Sequence, residues 1–177
     1  MSICKDNEVK YIIRTVKLED AEAILEIHHS VIAEGEYFIK VSEEFNRTLE
    51  QQKEWIQKII DNEKDTLIVA EINGEVAGWI VFLSQDRKRV SHTGSFGLMI
   101  SQNYRGMGLG RMLVTALLEW AEKNPFIEKV SLGVYSTNHR AISLYKSLGF
   151  VEEGRKIKEF KMNENKYVDD ILMYKLV

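Results

Sequence analysis

The stretch Tyr104-Arg105-Gly106-Met107-Gly108-Leu109-Gly110-Arg111 decides how this chain is read. Three glycines at alternate positions, flanked by two arginines, separate two apolar segments of different period. Before them, Phe96-Gly97-Leu98-Met99-Ile100 alternates or runs apolar, as a strand does. After them, Leu109, Met112, Leu113, Ala116, Leu117, Trp120 and Ala121 recur at helical spacing. A strand, a glycine loop and a helix start together present free backbone N–H groups at the positive end of a helix dipole. Without Cβ atoms in the way, phosphate oxygens can approach that backbone closely. The stretch reads as a phosphate cradle, and a tight strand-to-helix turn without a ligand is its bland alternative.

Three loop types share this logic. A nucleoside-triphosphate loop needs G-x-x-x-x-G-K-[ST], and Gly110 is followed by Arg111-Met112, with neither lysine nor hydroxyl. A dinucleotide fingerprint needs G-x-G-x-x-G early in a parallel-sheet unit, whereas here the spacing is G-x-G-x-G past the middle of the chain. What remains is R-x-x-G-x-G over Arg105, Gly108 and Gly110. It resembles the coenzyme A pyrophosphate loop of the GCN5-related N-acetyltransferases (GNAT).

Length and composition agree with a soluble enzyme. A chain of 177 residues is about one domain. Apolar content of 45% and charged content of 29% are ordinary for a globular protein. A net charge of -3 gives no general pull toward nucleic acid or an anionic membrane. No apolar run has the length of a signal core or a membrane span, so a cytoplasmic protein is expected. Cys4 is the single cysteine, which excludes an internal disulfide and a cysteine-based metal site. No metal is expected. Residues 1–9 read as a tail and 10–177 as one domain.

Strand and helix patterns alternate along that domain without a linker. Tyr11 to Thr15 reads as a strand, and Ala21, Ile24, Leu25, His28, Val31 and Ile32 as a helix ending near Gly35. The segment Glu36 to Asn46 is irregular. Thr48-Leu49-Glu50-Gln51 is a capping box opening a helix with Trp55, Ile56, Ile59 and Ile60 on its stripe. Thr66 to Ile72 and Glu75 to Leu83 form a hairpin on Asn73-Gly74. Beyond the glycine loop come a helix closed by Pro125, a strand from Ile127 to Tyr135, a helix from His139 to Ser147, and strands near Phe150 to Phe160 and Lys166 to Leu176. The order predicts one α/β domain with a mixed, mostly antiparallel sheet of about seven strands flanked by about four helices.

Asn138-His139-Arg140-Ala141-Ile142-Ser143-Leu144-Tyr145-Lys146-Ser147-Leu148-Gly149-Phe150 looks like the second signature of the same superfamily, N-x-x-A-x-x-L-Y-x-x-x-G-F. Asn138 can cap the helix and Gly149 can end it without any ligand. The two signatures stand in the superfamily's order, and the resemblance covers about residues 10 to 177. In proportions the chain looks closest to the phosphinothricin-acetyltransferase-like, small-amine branch. The resemblance implies acetyl-CoA as donor, with pantetheine and thioester on the backbone of Leu98, Met99 and Ile100. It places the pyrophosphate on the loop Arg105, Gly106, Met107, Gly108, Leu109, Gly110 and Arg111, and Asn138 beside the pantetheine arm.

An amine must be unprotonated to attack a thioester. With a pKa of about 10.4 it is neutral only ~0.04% of the time at pH 7, a handicap of about 4.6 kcal/mol that a base can offset in part. The departing thiolate gains from a proton donor, and Tyr145 is the expected acid, because a phenol donates at neutral pH and the family pattern has tyrosine there. His92, on the strand leading to the loop, is a candidate base; Glu34 and Glu36, beside Gly35, are others. His28 reads as a satisfied core residue, His29 and His139 as surface residues. Tyr37, Phe38 and Phe45 read either as loop anchors or, as the resemblance implies for the segment joining the first two helices, as the acceptor wall. Asp86-Arg87-Lys88-Arg89 could share in holding the 3′-phosphate. Glu152, Glu153, Asp169 and Asp170 read as strand-edge charges, of which one could face an amine.

The expected activity is therefore direct acetyl transfer to a small-molecule primary amine in a ternary complex. A protein N-terminus or a polyamine is the alternative acceptor, and a non-catalytic acyl-CoA sensor the alternative class. No nucleic-acid or membrane partner is expected. An exposed strand edge or apolar patch could support a homodimer.

Overall fold

In the computed structural model, which describes residues 10–177, the chain runs β1 (Tyr11–Thr15), α1 (Ala21–Ala33), α2 (Leu49–Ile60), β2 (Thr66–Ile72), β3 (Glu75–Ser84), β4 (Thr93–Ile100), α3 (Leu109–Lys123), β5 (Lys129–Tyr135), α4 (His139–Ser147), β6 (Val151–Asn163) and β7 (Lys166–Leu176). Seven strands and four helices in this order match the expected architecture. The tail with Cys4 lies outside the described residues.

Local chemistry sets the corners. Asn73 and Gly74 both take positive φ, 51° and 90°, which lets β2 turn back into β3 with the hand of the strand twist. Thr48 Oγ1 accepts from the Gln51 N–H at 3.2 Å, and Gln51 Oε1 accepts from the Thr48 N–H at 2.9 Å, closing the capping box of α2. At α4, Asn138 Oδ1 accepts from the Ala141 N–H at 3.2 Å, and Gly149 leaves the helix with φ 90°.

The strands form one sheet in the order β1-β2-β3-β4-β5-β7-β6. Every pairing is antiparallel except β4 with β5. That parallel ladder joins only Thr93–Ser95 to Lys129–Ser131, although both strands run further. Each face carries its own core. Ile80, Phe82, Phe96, Leu132, Val134, Ile171 and Met173 pack with α3 and with Tyr145 of α4. Leu67, Val69, Trp79, Val81 and Met99 pack with α1 and α2. Strand alternation assigns every residue near the gap to one of these faces.

β4 starts at Thr93, three residues before its apolar run, and Gly94 explains how. A Cβ there would collide with Phe82 Cζ and stand 2.5 Å from the Leu83 carbonyl oxygen, so only glycine lets β4 close on β3 while pairing with β5. Overpacking of this kind costs about 1–3 kcal/mol. Gly94→Ala should therefore lower the melting temperature by about 5 °C, measured by thermal denaturation, at the scale of ~2–4 °C per kcal/mol for this size.

Candidate active site

Beyond Ser95 and Ser131 the two central strands separate, and a cavity of about 1170 Å³ opens between them. Its edges are the consecutive runs Ser95–Ile100 and Ser131–Tyr135. The Ser101 N–H bonds to Ala77 on β3, so alternation turns the backbone groups of Leu98 and Ile100 toward the gap. Met99 is turned the other way. Its backbone faces β3 and its side chain is buried on the α1 side, which corrects its expected place beside Leu98 and Ile100 as a backbone contact.

At the end of β4 lies the glycine loop. Gly106 and Gly108 have φ 82° and 81°, and a Cβ on either would meet nothing within 4 Å. Conformation, not crowding, requires these two glycines. Gly108 precedes the first residue of α3, and the first helical hydrogen bond runs from Met112 N–H to its carbonyl. Among the described residues, no N–H from Gly106 to Arg111 has an acceptor. Six consecutive unpaired donors at a helix start fit a pyrophosphate.

The Arg105 side chain does something else. Its two terminal nitrogens donate to both carboxylate oxygens of Glu34 at 2.7 Å, and its Nε donates to the Ile100 carbonyl at 3.1 Å. The guanidinium thus ties the end of α1 to the end of β4. Glu34 lines the cavity but is already engaged, and an ion pair with a guanidinium makes a carboxylate a weaker base. Arg111 donates to Ser147 Oγ at 2.8 Å, tying α3 to α4.

Tyr145 lies on the α3–α4 face, 7% exposed, with its ring edge-on to Phe96 at 5.5 Å. It lines the cavity, and its hydroxyl has no hydrogen-bond partner among the described residues. Burial pushes its pKa up to about 12, so it keeps its proton at neutral pH. Asn138 lines the same wall.

The α1 face is hollow at its centre. Ser95 and Gly97 on β4 and Gly133 on β5 are exposed in mid-sheet, with Ser131 half-buried beside them. Around this floor stand Tyr37, Phe38, Tyr135 and Phe160, with Glu36, Lys40, Glu153 and Asp170. Tyr135 stacks on Phe160 at 4.2 Å and meets Tyr37 edge-on at 6.5 Å. Phe45, expected in this wall, is instead buried beneath it, stacked on His28 at 3.9 Å. His92 is absent from the cavity lining. It sits in the turn before β4, where its carbonyl accepts from the Glu128 and Lys129 N–H groups, at the opposite end of the strand from Leu98. Six residues of extended chain from His92 to Leu98 span about 20 Å, too far for proton transfer. Arg87, Lys88 and Arg89 also lie outside the cavity.

A family model, the acetyltransferase (GNAT) family, matches residues 30–150. The chain belongs to that family. Relatives carry the same class of activity in their names. The L-amino acid N-acetyltransferase AaaT of Escherichia coli K12 is 27% identical over 162 residues, covering 92% of this chain and 95% of its own. A GNAT-family acetyltransferase from Streptococcus pneumoniae superposes with TM-score 0.90 at 28% identity, covering 95% of this chain and 100% of that one. The yncA protein of Salmonella typhimurium, solved with its cofactor acetyl-CoA, shares the fold with TM-score 0.85 at 21% identity, over 94% of each chain. Among the described residues of this GNAT chain, no helix is long and apolar enough to cross a membrane, and no cluster of acidic, His or Cys side chains could hold a metal ion.

Sequence patterning missed two features of this acetyltransferase. One is the pair Ser95-Phe96-Gly97 and Ser131-Leu132-Gly133, the same small-large-small pattern on two strands paired at Ser95 and Ser131, which hollows the floor. The other is the state of His28. Among the described residues its Nδ1 is buried without a hydrogen-bond partner, as are Nε1 of Trp79 beside it and Nε2 of Gln52, so it is not the satisfied core histidine its spacing suggests. Burial, then the charges of Arg47, Lys40 and His29, lowers its pKa to about 4. The unfolded chain takes up this proton near pH 6.5, before the folded one does, so stability falls as pH drops from 6.5 to 4. His28→Phe keeps the ring stack and removes the titration. Its melting temperature should fall less steeply than the wild type's between those two pH values.

Proposed function

We propose that this chain transfers the acetyl group of acetyl-CoA to a small primary amine by direct attack in a ternary complex. The observation that carries the reading is the continuity of six unpaired N–H groups on the glycine loop with the gap between β4 and β5. Acetyl-CoA supplies an activated acyl group as a thioester. The loop from Gly106 to Arg111 holds the pyrophosphate through backbone donors, which leaves the Arg105 guanidinium to brace Glu34. Leu98, whose N–H faces the gap, offers the donor for charge growing on the carbonyl oxygen.

The two faces of the sheet then divide the work. On the α3–α4 side, Tyr145 presents a protonated phenol to the departing sulfur. A thiol in water has a pKa of about 8.5, below the phenol's about 12. Burial raises the thiolate's proton affinity as it raises the phenol's, which narrows that difference. The proton moves as the carbon–sulfur bond breaks. On the α1 side, aromatic rings and carboxylates receive a cationic group with an apolar body. The similarity to an L-amino acid N-acetyltransferase over nearly the whole chain supports an amino acid or a related small amine as acceptor.

An acetylation screen read as free thiol tests this, with L-phenylalanine, L-methionine, spermidine, an aminoglycoside and N-terminal peptides. At least one small amine should turn over. Tyr145→Phe should lower kcat by about 10²-fold, the low end for general acid catalysis, while the Kd for acetyl-CoA stays within twofold. Acetyl-CoA binding with no turnover across the panel would make the domain an acyl-CoA sensor.

A further inference from the structure

Two carboxylates are buried among the described residues, and they are handled in opposite ways. Asp20 receives two hydrogen bonds from Arg14, both at 2.8 Å. Asp170, 8% exposed, has no hydrogen bond from another side chain; the Val134 N–H lies against its carboxylate, and its cationic neighbour is Lys156, with Nζ 3.8 Å away on an exposed stretch of β6. A buried carboxylate so weakly compensated costs stability. Its position accounts for its presence.

Asp170 pairs with Tyr135 across the β5–β7 ladder, so its side chain stands on the α1 face with Tyr135 and Gly133. A Cβ at Gly133 would lie 2.8 Å from Asp170 Oδ1 and 3.2 Å from Oδ2. The carboxylate occupies the space left by the missing side chain and lines the cavity. Carried two residues past Ser95–Ser131, the parallel register sets Gly133 level with Gly97, one residue before Leu98. Asp170 thus stands across the gap from the strand edge expected to hold the thioester, on the face opposite Tyr145. The other acidic groups of the cavity are otherwise placed. Glu34 is bonded to Arg105, Glu153 to Lys129, and Glu36 is exposed at the rim.

We propose that Asp170 receives the ammonium group of the acceptor and takes its proton. This rests on the transferase reading above. The walls suit a cation, because Tyr135, Phe160 and Tyr37 surround the position with aromatic faces and edges. Burial raises the Asp170 pKa from its ordinary value; Lys156 and the Val134 N–H oppose the rise and Glu159 adds to it. Burial, and after it the Asp170 carboxylate, raises the pKa of the neighbouring Tyr135 phenol. In the reaction, the ammonium gives one proton to Asp170, the neutral nitrogen forms the C–N bond, and the C–S bond breaks. The sulfur takes the Tyr145 proton, the nitrogen's second proton restores the phenol, and Asp170 releases its proton to solvent. One acetyl group moves and one net proton leaves.

The test compares wild type, Asp170→Asn and Gly133→Ala, using the best amine of the screen for rates and phenethylamine with coenzyme A for calorimetric binding. Asp170→Asn is isosteric and should fold. Its kcat should fall by about 10²-fold or more with the coenzyme A Kd unchanged. The acidic limb of its rate profile should give way to a rate rising tenfold per pH unit with the free amine. Gly133→Ala keeps the charge but displaces it, and should lower kcat by at least tenfold. Turnover within threefold of wild type in Asp170→Asn overturns the assignment and leaves the transferase reading intact. If no amine turns over but phenethylamine binds at least tenfold more weakly to Asp170→Asn, the cation site stands and the transferase reading falls.

Discussion

The parallel ladder between β4 and β5 ends at Ser95 and Ser131 because each strand is held along its remaining length by an antiparallel partner on its other side. β3 carries β4 to Ile100 and β7 carries β5 to Tyr135, and the twist between neighbouring strands then draws the two apart. Glycines at 97 and 133 leave no side chains to bridge the opening. The result is an edge in the middle of a sheet, with the unpaired backbone of Leu98 available to a ligand. Elsewhere such an edge would be a liability. Here α3 and α4 cover one face and α1 and α2 flank the other, so the opening is enclosed as a cavity that both faces line.

Electrostatics follow from that cavity. On one side the loop after β4 offers free N–H groups and a helix N-terminus, a setting for anions. On the other side stand carboxylates and aromatic rings, a setting for cations. The Arg105–Glu34 pair lies at the boundary. It joins the end of α1 to the strand end that leads into the loop, so the two sides of the cavity share a strut.

Much of this was legible in the residues. The Asn73-Gly74 turn, the Thr48 capping box and the Asn138 cap each act within a few residues, and each appears where the pattern places it. The glycine loop was legible for the same reason, since φ at Gly106 and Gly108 is a local property. His92 was misplaced because distance along a strand says nothing about which end faces a cavity. Glu34 and Arg105 were read apart because their pairing spans 71 residues. Phe45 and Met99 were placed at the site by the family resemblance, and alternation or helix packing sends both side chains into the core.

The amino-acid sequence by itself determined the order of the elements, the glycine loop at the start of a helix and the resemblance to an acetyltransferase, because all three rest on spacing and local backbone preference. Only the tertiary structure decided which carboxylate is buried in the cavity wall. Asp170 looks like an edge charge in Val168-Asp169-Asp170-Ile171; it becomes a buried group in the cavity through the register of β7 on β5 and the vacant volume above Gly133. Such a role belongs to the pairing of two distant strands, which no run of residues contains.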